Sequence, residues 1–158
     1  MQRARGFTLI ELLTVVTITA ILLAVVVPSF NDLLERRRVE GVVNELSADL
    51  QYTRSESVSR RQNVALSTAA GGTIYTVTDL SGPTLLKTVT LPANMTVTPS
   101  ITLTYTALRG IPNETAGGDV VINVTSTRTP GSLRVVNNFM GRLQMCSPDG
   151  TFRGHTPC

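Results

Sequence analysis

Three groups of residues have types and spacings suited to chemistry. The first is Glu11, the single charge inside an apolar run from Phe7 to Val27. A carboxylate in hydrocarbon costs a few kcal/mol, so it needs a cation or a proton. The run offers no cation. A cut after Gly6 creates one, the α-amine of Phe7, four residues before Glu11, and the amine of a neighbouring copy serves equally. The second group is Cys146 and Cys158, both within the last 13 residues. In an exported chain two such cysteines most simply form a disulfide that closes a short loop and holds a tail. The third group is basic: Arg134, Arg142 and Arg153, with Gln144 beside them. Such groups contact phosphates without reading bases.

Catalytic chemistry finds little support. His155 is the only histidine and has no Ser/Asp or Cys partner placed by the sequence. Neither cysteine has metal ligands at useful spacing. Gly71-Gly72 and Gly117-Gly118 read as turns rather than a phosphate-binding loop. The expectation is a chain that is not an enzyme, with no cofactor and no metal.

The elements that must position these residues follow from composition and period. The 158 residues suffice for one domain beyond the apolar run. Trp is absent and only seven residues are Phe or Tyr, so the core is aliphatic. Twelve threonines between Thr68 and Thr106 point to strands with one wet face. Net charge is +3 but unevenly spread. From Arg60 onward eight bases face four acids, whereas from Pro28 to Ser59 four bases face six acids. The basic tail region suits a polyanion, or is ordinary solubility charge.

Phe7 to Val27 is 21 residues, about 31 Å as a helix, which matches a bilayer core of about 30 Å. A secretory signal has a shorter core and a small-residue cleavage site after it; here the small residue, Gly6, precedes the run. Arg3 and Arg5 place the start on the cytoplasmic side and the body outside the cytoplasm. Pro28, after three valines, predicts a kink or melted stretch over Ala24 to Pro28, with Ser29 capping a second helix. An apolar stripe then recurs at Phe30, Leu33, Leu34, Val39, Val42, Val43, Leu46 and Leu50, and the helix ends near Arg61. The run Arg36-Arg37-Arg38 reads as a solvated face among Asp32, Glu35 and Glu40, or as a patch meeting anionic headgroups or neighbouring subunits. From Val64 the period falls to two, giving short strands up to a last one over Gly141 to Cys146.

The stretch Gly6-Phe7-Thr8-Leu9-Ile10-Glu11-Leu12-Leu13 resembles the class III leader of type IV pilins and type II secretion pseudopilins. Pro28 falls where pilins often carry a helix-bending proline. The resemblance implies cleavage after Gly6 by a prepilin peptidase, N-methylation of Phe7, and Glu11 offsetting the Phe7 amine of an adjacent subunit. It implies an α+β type IV pilin fold: a long N-terminal helix, half membrane and half amphipathic, packed on a C-terminal antiparallel β-sheet body. The expected divisions are a leader over 1–6, a transmembrane assembly helix over 7–27, an amphipathic half over 28–62 and a β-rich body over 63–158. Expected partners are other pilin subunits, the prepilin peptidase and the bacterial inner membrane, with the body periplasmic before the subunit joins a fibre.

Gln51-Tyr52-Thr53-Arg54-Ser55-Glu56-Ser57-Val58, followed by Arg60-Arg61-Gln62-Asn63-Val64, is similar to the helix end of the GspH/FimT group of minor pilins. The tail from Arg134 through Gly141-Arg142, Met145-Cys146-Ser147-Pro148 and Cys158 resembles the FimU/FimT branch. In DNA-binding members the resemblance points to a Gly-Arg-x-Arg motif here. This chain reads Gly141-Arg142-Leu143-Gln144, so a neutral Gln replaces the second Arg. Three functions stay open: a minor pilin of a type IV pilus; the same pilin binding double-stranded DNA weakly, without sequence preference, through Arg134, Arg142, Gln144 and Arg153; and a GspH-like pseudopilin of a type II secretion system. The alternative for the basic residues is a structural hairpin with solvent-facing arginines.

Overall fold

The computed structural model describes residues 7–69, 71–112 and 118–158, the side chains of 26–29 excepted. Gly6, Arg3 and Arg5 therefore lie outside the described residues. One helix, α1, runs over Leu9–Arg60 and is unbroken through Pro28. The expected melted stretch, and a second helix capped by Ser29, are not found. A proline inside a helix removes one N–H bond, and the turns on either side keep theirs. Arg61, at φ 55°, ends α1 in the left-handed conformation.

The compact body begins at Glu35. Within it α1 buries Val39, Val42, Val43, Leu46 and Leu50, which recur at three- and four-residue steps. Phe30, Leu33 and Leu34, expected on the same stripe, are exposed instead. They precede the compact body, which begins at Glu35. Beyond Leu50 the buried face continues with Thr53 and Ser57, both fully buried. Their hydroxyls donate to α1's own carbonyls, at Asp49 (2.6 Å) and Arg54 (2.7 Å). Small polar residues thus serve as core where the apolar pattern fades.

Eight strands follow: β1 Val64–Thr68, β2 Ile74–Asp79, β3 Thr84–Thr90, β4 Met95–Thr98, β5 Thr102–Tyr105, β6 Val120–Ser126, β7 Ser132–Asn137 and β8 Leu143–Cys146. They form two antiparallel four-stranded sheets, ordered β3-β2-β1-β5 and β4-β6-β7-β8, rather than the single sheet expected. The chain leaves the first sheet after β3, lays down β4 in the second, and returns for β5 beside β1. Alternation puts Leu66, Val77, Leu103 and Tyr105 of one sheet, and Val97, Ile122, Val124, Leu133 and Val135 of the other, into a common core with α1. Gly72 shows how closely the sheets approach. At φ 66° it turns β1 into β2, and its carbonyl accepts a bond from the Val97 amide at 2.8 Å. A Cβ there would lie 2.0 Å from the Val97 carbonyl oxygen, so only glycine fits.

Buried polar groups of α1 fasten it to the sheets. Asp49 accepts from the Tyr75 hydroxyl at 2.8 Å and from Lys87 Nζ at 2.6 and 2.8 Å. Burial first, and then the bond to Asp49, push the Tyr75 hydroxyl well above its ordinary range, so it stays a donor. Asp49→Ala leaves that buried hydroxyl without its acceptor, an expected loss of about 1–3 kcal/mol. Denaturant unfolding measures it, and Asp49→Asn, which keeps an acceptor, should lose less. Glu35 accepts from Ser126 Oγ at 2.8 Å and from Asn94 Nδ2, joining α1 to β6 and to the residue just before β4.

At the other end of the body Asp79 accepts from Ser81 Oγ (2.7 Å) and the Ser81 amide (3.0 Å), with Arg60 at 3.9 Å. The Ser81 bonds first, and Arg60 last, hold its carboxyl below the usual carboxylate range. Its contribution to stability is therefore full above the unfolded pKa, about 3.9, and is lost as pH falls through the lower folded value. The stability gap between the native chain and Asp79→Asn should close on acidification below about pH 4. Urea midpoints measured across that range test this; a gap that widens there contradicts the assignment.

Candidate functional site

The amino-terminal part of α1 is made for an apolar medium. From Leu9 to Val25 every residue is exposed, on all sides of the helix, and the segment is long and apolar enough to cross a membrane. Its threonines hide their hydroxyls: Thr14, Thr17 and Thr19 donate to the carbonyls of Glu11, Leu13 and Val15 at 2.7–2.9 Å. What remains outside is methyl. Thr8 caps the helix, its Oγ1 accepting from the Glu11 amide at 3.3 Å. Glu11 thus stands three residues after the cap, where a carboxylate also suits the positive end of the helix. The Thr8-x-x-Glu11 spacing carries this signal in the sequence itself. Among the described residues no cation pairs with the Glu11 side chain, which is exposed beside an exposed Phe7.

The carboxy-terminal residues lie on the second sheet. In register, Arg134 pairs with Asn123 on β6 and Cys146 on β8, and Val136 pairs with Gln144. Asn138 and Arg142 exchange the next bonds, Asn138 N to Arg142 O at 3.0 Å and Arg142 N to Asn138 Oδ1 at 2.8 Å. Opposed residues of an antiparallel pair share a face. Arg134, Gln144 and Arg142 therefore stand on one face, opposite buried Leu133 and Val135, as alternation predicts. The strand begins at Leu143 rather than Gly141, because Gly141 (φ 76°) closes the turn with its amide on the Asn138 carbonyl.

Two features temper the positive charge of this face. Arg134 is half-buried, with its Nε donating to Asn123 Oδ1 at 2.7 Å. Asp119 lines the same cleft as Asn138, Arg142 and Gln144. Arg153 is exposed in the terminal loop. The loop is closed by the Cys146–Cys158 disulfide and pinned by the Ser147 amide on the Thr156 carbonyl at 3.0 Å. It drives Phe152 into the core. Arg36 of α1 holds it from outside, donating to the Thr151 carbonyl at 2.6 Å with its guanidinium 6.0 Å from the Phe152 ring centre. One member of the Arg36-Arg37-Arg38 run is thus a structural clamp. The other two pair with Glu40 and Glu35.

Arg54 is the residue whose role the sequence did not disclose. It donates to the Gly141 carbonyl at 3.0 Å, and a Cβ on Gly110 would meet its Cγ at 3.2 Å and Val58 Cγ2 at 2.8 Å. One α1 side chain thereby gathers the loop after β5 and the β7–β8 turn.

Residues 42–141 match the family described as Type II transport protein GspH. The chain belongs to the GspH family. Residues 1–27 match the prokaryotic N-terminal methylation motif, which covers the Phe7–Glu11 region. Two fimbrial proteins of Pseudomonas aeruginosa are each 46% identical over 48 residues, 30% of this chain and 31% of theirs. The chain thus spans about a third of the length of these curated relatives. The GspH-family body is similar in fold to the type IV minor pilin FimU of Pseudomonas aeruginosa (23% identity, 70% of this chain, 90% of FimU, TM-score 0.58). It is also similar to the minor pseudopilin EpsH of the Vibrio cholerae type 2 secretion system (13% identity, 70% of this chain, 98% of EpsH, TM-score 0.56). This member is therefore a pilin or pseudopilin with the type IV pilin fold, an α+β chain whose N-terminal helix carries an apolar segment and packs on antiparallel sheets.

Proposed function

We propose that this GspH-family protein is a minor pilin of a type IV pilus. A prepilin peptidase removes residues 1–6 after Gly6, Phe7 is N-methylated, and residues 7–27 hold the chain in the bacterial inner membrane with its body periplasmic until it joins a fibre. The observation that carries this reading is the helix that is exposed and apolar on all sides from Leu9 to Val25, with Glu11 near its start. Such a surface needs lipid and then other helices as its surroundings, and the one carboxylate gives neighbouring helices a register. The work of the protein is assembly rather than catalysis. The 46% identity to fimbrial proteins favours a pilus. The EpsH-like fold supports the second reading, a pseudopilin of a type II secretion system. Deleting the gene separates them. The pilus reading expects fewer surface pili with normal protein secretion; a secretion defect with normal piliation overturns it.

Binding of extracellular DNA for transformation through Arg134, Arg142, Gln144 and Arg153 is a finer proposal on the same body. Its support is the shared face of the first three and the exposure of Arg142 and Arg153. With Asp119 beside Arg142, contact would be weak and salt-sensitive. Gel shift of the full chain in detergent, at low and moderate salt, should show binding that Arg142→Ala weakens. No salt-sensitive shift, or one indifferent to Arg142→Ala, sinks the DNA role.

A further inference from the structure

We infer that the cleft at the end of the second sheet, where β7 turns into β8, is a binding site for a neutral oligosaccharide. It does not depend on the fibre or DNA readings above. Val120 pairs with Asn137, and Asn137 with Leu143. Asp119 comes just before β6, Asn138 just after β7 and Arg142 just before β8, so the three fall in one row across three strands. Neighbouring strands lie about 4.8 Å apart. A carboxylate, an amide and a guanidinium thus stand side by side. Gln144 comes two residues after Arg142, on the same face, paired with Val136. Together with Leu143 these residues line a cleft of about 430 Å³, within the size range of small-ligand pockets, about 300–1,000 Å³.

Much of the lining is fixed before a ligand arrives. Asn138 Oδ1 accepts from the amides of Met140 (3.1 Å) and Arg142 (2.8 Å), which leaves Nδ2 as a donor for a ligand. Arg54 holds the same turn through the Gly141 carbonyl. Asp119 and Arg142 are both exposed, and among the described residues no ion pair joins them. These two opposite charges select the ligand. A polyanion meets Asp119 and a polycation meets Arg142, and like charges brought together oppose binding. Sugar hydroxyls both donate and accept. One donates to the Asp119 carboxylate while its neighbour accepts from Arg142 or Asn138, and the Gln144 amide serves in either sense. The C–H face of a sugar ring is apolar, and half-buried Val136 and Leu143 give it a surface to rest on. Phe139, 55% exposed on the same turn, offers an aromatic face as well. A peptide carries its polar groups along the main chain, and a strand edge matches those. Here the donors and acceptors are side chains on a sheet face, which suits a sugar.

Ligand-detected NMR titration of the full chain, in a detergent without a sugar headgroup, tests this. The neutral probes are maltohexaose and the hexamer of N-acetylglucosamine, which separate a glucan from an amino-sugar chain. At least one should bind with Kd of about 1 mM or tighter, at low and moderate salt alike. Asp119→Ala should weaken that binding about tenfold, the size of one hydrogen bond to a charged group. Gln144→Ala should weaken it too, and both positions are exposed. A double-stranded DNA oligomer titrated in parallel should respond oppositely to Asp119→Ala and gain, because a negative charge beside Arg142 has gone. Absence of binding by either sugar up to about 10 mM overturns the inference. Sugar binding that both variants leave unchanged places the ligand elsewhere and overturns it as well. DNA that gains while the sugar is indifferent assigns the cleft to phosphate, which also contradicts it.

Discussion

Glu11→Ala is expected to leave membrane insertion intact and to cut incorporation into fibres at least tenfold. Insertion is driven by the apolar segment, and removing its one carboxylate makes that segment more hydrophobic. Assembly differs. In the proposed fibre core, α1 segments exchange lipid for one another, so apolar packing alone says little about register along the helix. A carboxylate paired with the Phe7 amine of a neighbour does, because a slip of one turn strands both charges in hydrocarbon. A tenfold loss needs only about 1.4 kcal/mol of lost pairing, well below the cost of breaking a buried ion pair, about 3–5 kcal/mol. Quantifying the variant in membranes and in sheared fibres, against the native chain, measures both halves. Glu11→Gln separates charge from hydrogen bonding: it should resemble alanine if the pair is ionic. Thr8→Ala should cost only the helix cap and leave incorporation near normal.

The second large effect is the loss of the Cys146–Cys158 bridge. A Cys146→Ser, Cys158→Ser variant is expected to lose about 2–5 kcal/mol of stability, the usual cost for a native disulfide in a small domain. Closing a twelve-residue separation limits the unfolded chain, and the bridge also holds the loop that seats Phe152 in the core under Arg36. Urea unfolding with and without reductant gives the number. Arg36→Ala should weaken the same loop by less, because the covalent link remains. A double variant as stable as the native chain would mean that Phe152 and the Ser147–Thr156 bond hold the tail unaided.

Much of this was legible in the residues. Strict alternation in Ile101-Thr102-Leu103-Thr104-Tyr105 marked β5 because its buried face is continuous and its other face meets solvent. Val39 to Leu50 marked the α1 stripe for the same reason. The membrane segment and leader motif were plain because no soluble core requires a 21-residue stretch with a single charge and 16 apolar residues. The division into two sheets was not legible: β4 and β5 are neighbours in sequence, and only tertiary packing decides that one joins β6 and the other β1. Pro28 misled because local propensity favours a break, yet the helix on both sides outweighs one absent N–H. Thr53 and Ser57 looked like the end of a stripe because their burial depends on hydroxyls that turn back on α1. On the basic face, spacing put Arg134, Gln144 and Arg142 on one side. The arrival of Asp119, and of Asn123 against Arg134, depends on the register of β6 and is invisible in one dimension. Arg54 read as part of a helix-end motif, and its grip on Gly110 and Gly141 joins segments more than fifty residues away from it.

The central claim is that the chain works as a processed fibre subunit whose first residue is Phe7. Intact-mass and N-terminal peptide analysis of the protein recovered from sheared surface fibres tests it most directly. The expected result is a chain beginning at N-methylated Phe7 with one disulfide and the preceding six residues gone. A chain that begins at Met1, or at a residue after Val27, would contradict it.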